Sequence, residues 1–306
     1  MSGPLPPQPG ASGSRTVLVT GAGGRLGGRL AALLASRFRV VAGVHVAPAP
    51  VGVTTQSLDL TDARSVEGAL AATGARAVVH CAALADADAC ERDPDAARRL
   101  NVIACETLAR ACEAHGAALV AVSTDQVLSG ERPFWREDDA ARPVSVYGRT
   151  KLEGEQVVLG LCQLSAVVRV ALLSGRVHGA FPSCTEGIAW ALRAGRPLKL
   201  FTDQHRTPID PESVAHAIAA LLNRQARGVF HLGGPERLSR HELGLRVAAV
   251  LGLDPRPIQA VRQAEVAFDA PRAADASLDS SHARSALGWE PRSLDEAIRS
   301  GRSERD

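Results

Sequence analysis

The chain has 306 residues, of which 45% are hydrophobic and 22% are charged, and its formal net charge is +2. This balance is typical of one or two globular domains and excludes a fibre or a wholly disordered chain, while the small net charge argues against nucleic acid as a partner. Only one residue is Tyr, and only two of the 35 Lys and Arg residues are Lys.

The N-terminal segment, residues 1–14, is rich in Pro, Gly and Ser and has no apolar centre of the kind found in signal peptides. It predicts a disordered tail on a cytoplasmic protein. No apolar run in the chain reaches the roughly 18 to 20 residues of a membrane-spanning helix, so we expect no contact with a membrane. The six cysteines form no CxxC pair and have no His at metal spacing, so neither a metal site nor a disulfide framework is predicted.

From residue 15 onward, short β-branched runs alternate with longer stretches of helical period. The predicted strands are 16–20, 40–44, 77–81, 119–123, 166–170 and 228–232. The predicted helices are 25–38, 61–72, 94–115 and 146–161. This alternation predicts an α/β fold with a doubly wound parallel sheet, the Rossmann type, over residues 15–172. The looser pattern of 173–306 predicts a smaller C-terminal α/β substrate-binding region, with about 209–232 returning to the first domain.

A glycine-rich turn, Thr20–Gly27, follows the first predicted strand and opens the first predicted helix. Such a turn places backbone N–H groups and the positive end of a helix dipole where a pyrophosphate can bind. In this interpretation the glycines supply a tight turn, close backbone approach and close helix packing, whereas the alternative is a generic tight turn. The predicted cofactor contacts in the turn are Gly21, Gly23, Gly24, Arg25, Leu26 and Gly27.

The second predicted strand distinguishes between two cofactors. NAD-specific sites usually end this strand with an acidic residue for the ribose 2′-hydroxyl, but here Val44-His45-Val46 carries no carboxylate. Arg25 and His45 could instead meet a 2′-phosphate, so NADP(H) is favoured over NAD(H). The alternative is that Arg25 is a solvated arginine at a helix start and that the ribose is bound elsewhere.

The only tyrosine, Tyr147, lies four residues before Lys151, one of the two lysines. This spacing places both side chains on one face of a helix. A phenol has an ordinary pKa of about 10, and a neighbouring cation stabilises its phenolate, so the pair suits acid–base catalysis near neutral pH. The compact ammonium of Lys can also reach ribose hydroxyls. The alternative is a surface Tyr that packs on a Lys stem.

Hydroxyl side chains end the strand before this pair, at Ser123 and Thr124. The carboxyl ends of strands line the crevice where doubly wound folds bind ligands. We expect Thr124, with Ser123 as the other candidate, to donate a hydrogen bond to a substrate carbonyl oxygen. A capping or turn hydroxyl is the alternative.

Together these segments resemble the extended short-chain dehydrogenase/reductases. Thr20–Gly27 matches the family's TGxxGxxG, Tyr147–Lys151 its YxxxK, and Asn101 the helix asparagine of its catalytic tetrad. Within that family, residues 123–130, 132–139, 143–155 and 203–208 are most similar to dTDP-4-dehydrorhamnose reductases. This resemblance implies NADPH-dependent reduction of the C4 ketone of a nucleotide-linked 6-deoxy sugar.

The resemblance also implies roles for single residues. Tyr147 would donate the proton, and Thr124 would orient the ketone. Lys151 would adjust the pKa of the Tyr147 phenol and hold the nicotinamide ribose. Asn101 would support the lysine through a water molecule. Further cofactor contacts implied by matching positions are Asp59, Leu60, Cys81, Ala82 and Ala83. For Asp59 the alternative is a helix cap beside Thr61.

On the substrate side, the resemblance and the loop positions indicate Thr124, Asp125, Gln126, Arg206 and Arg272. The planar fork of Arg206 suits the oxygens of a diphosphate, although it could equally be a solvated loop arginine. Other loop residues considered for this side are His178, Phe181, Gln204 and His205. The reductases usually have Tyr at the position of Gln126. Since an amide cannot carry a proton as an acid or base, Gln126 argues against the related sugar-nucleotide dehydratases.

A second resemblance points to another class of function. Residues 94–102, 134–138 and 203–208 are similar to the regulatory beta subunit of methionine adenosyltransferase, an NADP-binding relative that acts chiefly as a partner of another enzyme. Tyr147 and Lys151 would then only hold the cofactor. We favour the enzyme, with a sugar nucleotide as its small-molecule substrate, and consider a homodimer possible because relatives often pair through helices of the cofactor domain.

Overall fold

A computed structural model describes residues 15–179 and 182–301 of the protein. The predicted tail, residues 1–14, and Phe181 lie outside the described residues. Within the described part of the chain, no helix is both long enough and apolar enough to span a membrane.

The strands form one large parallel sheet and two small sheets. They are β1 (Thr16–Thr20), β2 (Arg39–Val44), β3 (Thr54–Ser57), β4 (Ala77–His80), β5 (Ala118–Thr124), β6 (Ser165–Val170), β7 (Leu198–Phe201), β8 (His205–Arg206), β9 (Gly228–Leu232), β10 (Leu238–Ser239) and β11 (Ile258–Val261). The large sheet has the order β3-β2-β1-β4-β5-β6-β9, and all its neighbouring strands are parallel. β8 pairs with β10, and β7 pairs with β11. The predicted doubly wound sheet is confirmed.

The helices cover both faces of the large sheet. They are α1 (Arg25–Leu34), α2 (Ala63–Thr73), α3 (Ala87–Arg92), α4 (Pro94–Arg98), α5 (Ala104–His115), α6 (Val146–Leu161), α7 (Cys184–Arg193), α8 (Pro211–Arg224), α9 (Arg240–Leu251), α10 (Ser281–Leu287) and α11 (Leu294–Ser300). Apolar side chains of α1, α8 and α10 form the core on one face, and those of α2, α5 and α6 form it on the other. The central strands are therefore buried on both sides, which is why they consist of continuous apolar runs.

Several element bounds differ from the sequence-based expectations. The polar edge strand β3 was not predicted, because a solvent-exposed edge strand needs no apolar run. α1 ends at Leu34 and not at Phe38. The helix predicted over 94–115 contains one π-helical turn, Arg99–Ile103, between α4 and α5. The short helix α3 was missed, although Asp86 caps it by accepting a hydrogen bond from Ala89 N–H.

The C-terminal half of the chain contributes to two regions. α7, α9 and α11 pack with β7 around a separate core that includes Ile188, Leu200, Leu243, Val247 and Ile298. In contrast, α8 packs against α1, and β9 pairs with β6 at the edge of the large sheet. The separate core thus lies on elements that follow β6 in sequence.

Candidate active site

The glycine-rich turn lies at the point where the strand order of the large sheet reverses, between β1 and β4. Gly21 has φ +65°, and a Cβ built on it would lie 2.6 Å from the backbone nitrogen of Ala82. A Cβ on Gly27 would lie 2.3 Å from the carbonyl oxygen of Gly21. Only glycine permits these approaches, which bring the turn of residues 81–83 against the glycine-rich turn.

The amino end of α1 is open to an anion. Gly24 caps the helix and has no side chain that could accept from the first-turn N–H groups, and the first turn has no acidic residue. Gly24 N–H donates to the carbonyl of Gly21 at 2.9 Å, which closes the turn. The positive end of the helix dipole and the N–H groups of the first turn therefore fit a dinucleotide pyrophosphate.

The side chains considered for the adenosine end of a dinucleotide are exposed or have a local partner. Arg25 is exposed, and its guanidinium donates to the carbonyl of Pro182 at 3.3 Å. His45 is also exposed, whereas Leu60 is half-buried. Asp59 Oδ1 accepts from the backbone N–H and the hydroxyl of Thr61 at 2.9 and 2.7 Å, and the hydroxyl bond is the main reason its pKa lies below the usual range. Asp59 Oδ1 thus serves to hold the turn of residues 59–61.

Tyr147 and Thr124 come together at the carboxyl end of β5. Ser145 caps α6 by accepting from Gly148 N–H, which places Tyr147 in the first turn of the helix. Both side chains are buried, with 7% of each residue exposed. Burial raises the pKa of the Tyr147 phenol well above its ordinary value, the hydrogen bond with Thr124 lowers it, and the Asp125 carboxylate raises it. The phenol therefore keeps its proton at neutral pH.

Lys151 lies one helical turn after Tyr147 and is buried. Its Nζ donates to the carbonyl oxygen of Val122 in β5 at 2.8 Å. The ammonium charge helps to lower the pKa of His80 and opposes the burial that raises the pKa of Cys81 to about 12. Lys151 is thus anchored where β4 and β5 end, beside residues 81–83, which border the glycine-rich turn.

Asn101 lies in the π-helical turn and is fully buried. Its Oδ1 accepts from Leu84 N–H at 2.9 Å, and its Nδ2 donates to the Leu84 carbonyl and to Thr150 Oγ1. A Cβ on Gly154 would lie 2.3 Å from the Asn101 carbonyl oxygen. The bonds of Asn101 and the close approach of Gly154, which has no side chain, therefore fasten α6 to the segment that follows β4. π-helical turns of this kind are frequent at functional sites.

Arg206, the candidate for a diphosphate contact, lies among protein partners and is not a solvated loop arginine. It is buried, its Nε lies 3.4 Å from Asp125 Oδ2, and it donates to the carbonyls of His205, Ala273 and Ala274. Since its donors already serve these groups, Arg206 ties the turn after β5 to residues 273–274. Burial raises the pKa of Asp125, and the Arg206 charge opposes that shift.

The remaining candidates for the substrate side each have a partner within the protein. Arg272 donates to Asp88 of α3 at 2.6 Å, and its guanidinium lies over the ring of Phe268. Gln126 is half-buried and donates its backbone N–H to Thr124 Oγ1 at 3.2 Å. His178 lies on the cofactor side, where its backbone N–H donates to the Arg25 carbonyl.

A buried polar chain beneath α6 was missed by sequence reasoning. The Ser123 hydroxyl donates to Glu155 of α6, and Arg169 of β6 donates three hydrogen bonds to the same carboxylate. Arg169 also contacts His231 Nε2 of β9 at 3.2 Å. Glu155 falls within the segment that resembles the reductases. Its partners lie far from it along the chain, so no motif spacing in the sequence could identify them.

His80 was also missed. Its Nδ1 shares a 2.7 Å hydrogen bond with Thr20 Oγ1, while its Nε2 is buried without a hydrogen-bond partner among the described residues. Burial and the Lys151 charge lower its pKa to about 3, so the imidazole is neutral.

Among the described residues, no group of three His, Cys, Asp or Glu side chains could hold a metal ion. The six cysteines are free thiols.

Comparison with known proteins assigns the family. A family profile described as the RmlD substrate binding domain matches residues 15–303. The chain belongs to this family. It is 32% identical to a dTDP-4-dehydrorhamnose reductase of Mycobacterium tuberculosis over 278 residues, which cover 88% of this chain and 86% of that one. It is 35% identical to the methionine adenosyltransferase 2 subunit beta of Danio rerio over 201 residues, 64% of this chain and 62% of the relative. Both resemblances are confirmed.

Solved structures share the fold. A dTDP-4-dehydrorhamnose reductase of Bacillus anthracis in complex with NADP superposes with a TM-score of 0.83 at 23% identity, covering 94% of this chain and 98% of that one. MoeE5 in complex with UDP-glucose and NAD gives 0.78 at 26% identity, covering 94% and 97%. The chain is of the extended short-chain dehydrogenase/reductase type, an NAD(P)-dependent oxidoreductase type whose structural neighbours bind NADP or NAD.

Proposed function

We propose that the protein is an NADPH-dependent reductase of the C4 ketone of a nucleotide-linked 6-deoxy sugar, with Tyr147 as the proton donor. The observation that carries this proposal is the buried pair of Thr124 and Tyr147, which lies at the same sheet edge as the glycine-rich turn. A protonated phenol and a second hydroxyl that converge on one point are what a ketone oxygen needs as it becomes an alcohol.

The residues have separate tasks in this reaction. Thr124 would orient the ketone oxygen by a hydrogen bond, and Tyr147 would transfer its proton to that oxygen as negative charge develops there. Burial and the Asp125 carboxylate both favour the neutral phenol, which is the form that a reduction consumes. Lys151 would stabilise the phenolate that remains, and Asn101 would keep α6 in place through its bonds to Leu84 and Thr150.

The residues around the glycine-rich turn fit a dinucleotide, because the cradle formed by Gly21 and Gly27 leaves no room for side chains. When bound, NADPH would supply the hydride that reduces the ketone carbon. Arg25 and His45 would lie at a 2′-phosphate, and Asp59 would contact the adenosine portion. The lack of a carboxylate at the end of β2 supports NADP(H) over NAD(H).

Turnover tests this proposal. The purified protein with NADPH and a dTDP-4-keto-6-deoxy sugar should oxidise the cofactor, which absorbance measures directly. Tyr147→Phe keeps the ring in its buried position but removes the proton donor, so kcat should fall by about 10²- to 10⁴-fold while NADPH affinity stays the same. Tight NADPH binding without turnover across a panel of keto-sugar nucleotides would refute the reductase.

A second candidate is an NADP-binding partner subunit. The similarity to the methionine adenosyltransferase beta subunit supports it. In this function Tyr147 and Lys151 would bind the cofactor without chemistry. Co-elution of the NADPH-loaded protein with a methionine adenosyltransferase catalytic subunit, combined with absent turnover, is the result expected for this candidate, whereas turnover without co-elution is the result expected for the reductase.

A further inference from the structure

The buried face of α6 carries polar side chains at a regular spacing. Tyr147, Lys151 and Glu155 follow one another every four residues, which places them on one face of the helix, and all three are buried. Tyr147 and Lys151 belong to the proposed site, whereas Glu155 has no part in it. Burying a carboxylate is costly unless it is paired, so the contacts of Glu155 indicate its task.

This face of α6 contacts two adjacent residues at the carboxyl end of β5. The Glu155 carboxylate accepts a hydrogen bond from the Ser123 hydroxyl. The Tyr147 phenol is hydrogen-bonded with Thr124, the next residue of the strand. Because Ser123 and Thr124 share a peptide bond, a movement of the first residue displaces the second.

The Glu155 carboxylate is itself held firmly. Ser123, Arg169 and His231 are neighbours in the register of the sheet, on β5, β6 and β9. Arg169 donates three hydrogen bonds to Glu155, the shortest at 2.8 Å, and also contacts His231 Nε2. Charge-assisted bonds are strong, and both partners of this ion pair are buried. Glu155 therefore keeps its position on the sheet, and with it the bond to Ser123.

The two hydroxyls at the end of β5 thus have different partners. A serine hydroxyl has one proton to donate, and that of Ser123 is donated to Glu155 within the protein. Ser123 consequently offers no proton to a ligand in the crevice, which leaves Thr124 as the hydroxyl for a substrate oxygen.

We propose that Ser123 is a positioning residue whose bond to Glu155 fixes the carboxyl end of β5 against α6. This bond sets the position of the Thr124 hydroxyl relative to the Tyr147 phenol. The inference rests on the proposed function, because the relative position of these hydroxyls matters for a substrate oxygen that both of them contact. A displacement of about 1 Å can slow a reaction by about 100-fold, so the loss of one such bond is measurable in kcat.

Two serine variants separate positioning from stability. Ser123→Ala removes the bond to Glu155 and leaves the ion pair with Arg169 intact. Ser165→Ala is the matched control, because Ser165 is also buried and donates to the carbonyl of Cys162 at the end of α6, at 2.6 Å. Ser165 lies at the amino end of β6, opposite the site. Each variant loses one buried hydrogen bond, so the losses in Tm should be similar.

Turnover of a dTDP-4-keto-6-deoxy sugar with NADPH should distinguish the variants. Ser123→Ala should lower kcat by about 10- to 100-fold with KM unchanged, whereas Ser165→Ala should leave both at their wild-type values. Thr124→Ala has no hydroxyl to position, so adding Ser123→Ala to it should cost no further kcat. A wild-type kcat in Ser123→Ala, or the same loss in both backgrounds, overturns the proposal.

A second measurement needs no turnover. The chain has one tyrosine, so tyrosine labelled with ¹³C at Cζ gives a single NMR signal, which senses the hydrogen bond of the phenol. Ser123→Ala should shift this signal toward its position in Thr124→Ala, and Ser165→Ala should leave it in place. An unmoved signal in Ser123→Ala overturns the positioning role even if a keto sugar is reduced. A shifted signal in a protein that reduces no keto-sugar nucleotide supports the role of Ser123 while the reductase fails.

Discussion

Gly21 and Gly74 share a left-handed backbone conformation but have different surroundings. Their φ angles are +65° and +59°. A Cβ at Gly21 would lie 2.6 Å from Ala82 N and 2.7 Å from Ala82 Cα, whereas a Cβ at Gly74 would meet no atom within 4 Å. Alanine at either position therefore has the same backbone strain, but only Gly21→Ala also forces the glycine-rich turn away from the turn after β4.

The two effects differ enough to be measured. Left-handed strain costs about 1–2 kcal/mol for alanine, and an overlap with backbone atoms adds about 1–3 kcal/mol. Gly74→Ala should lose about 1–2 kcal/mol and Gly21→Ala about 2–5 kcal/mol of unfolding free energy. At roughly 2 °C per kcal/mol for a chain of this size, the losses in Tm are about 2–4 °C and 4–10 °C.

Cofactor binding should separate the variants further. Because the glycine-rich turn and the turn after β4 border the proposed NADPH groove, Gly21→Ala should raise the NADPH Kd at least about tenfold, and Gly74→Ala should leave it unchanged. Thermal denaturation with and without NADPH, together with calorimetric titration, measures both quantities. Equal Tm losses and equal NADPH affinities in the two variants would refute both the steric argument and the location of the groove.

Three further predictions concern charges. Arg169→Met leaves the Glu155 carboxylate buried without its cation, so the unfolding free energy measured in denaturant should fall by about 3–5 kcal/mol. Adding Glu155→Gln to this variant should restore most of the lost stability. A double variant that is no more stable than Arg169→Met alone would contradict this. Burial holds the pKa of His80 at about 3 and that of His231 at about 4, so the unfolded chain takes up protons before the folded one as the pH falls. The unfolding free energy should therefore drop by about 3 kcal/mol between pH 6.5 and pH 5. A flat pH profile would argue against it. Arg25→Gln should weaken NADPH binding about tenfold and leave NADH binding unchanged, since only NADPH has a 2′-phosphate. Equal effects on the two cofactors would count against a contact between Arg25 and the 2′-phosphate.

The amino-acid sequence by itself determined the features whose cause is local. Continuous apolar runs predicted the central strands because a parallel sheet buries them on both faces. The glycine spacing after β1 predicted the dinucleotide-binding turn, and the four-residue spacing of Tyr147 and Lys151 predicted their shared helix face. Both predictions were possible because each spacing reflects the geometry of one turn or one helix face. From these features followed the doubly wound fold and the family, which the structure and the comparisons confirm.

Only the tertiary structure decided which charged groups are exposed and which are paired. Arg206 had the right chemistry for a phosphate, but burial against Asp125 and backbone carbonyls gives it another task. Arg169 of β6 contacts both Glu155 of α6 and His231 of β9 and so joins three elements, and the ring of Phe268 packs against that of Phe201, 67 positions earlier in the chain. A pKa or a binding surface of this kind depends on long-range packing, because burial and partners arise only when distant elements meet.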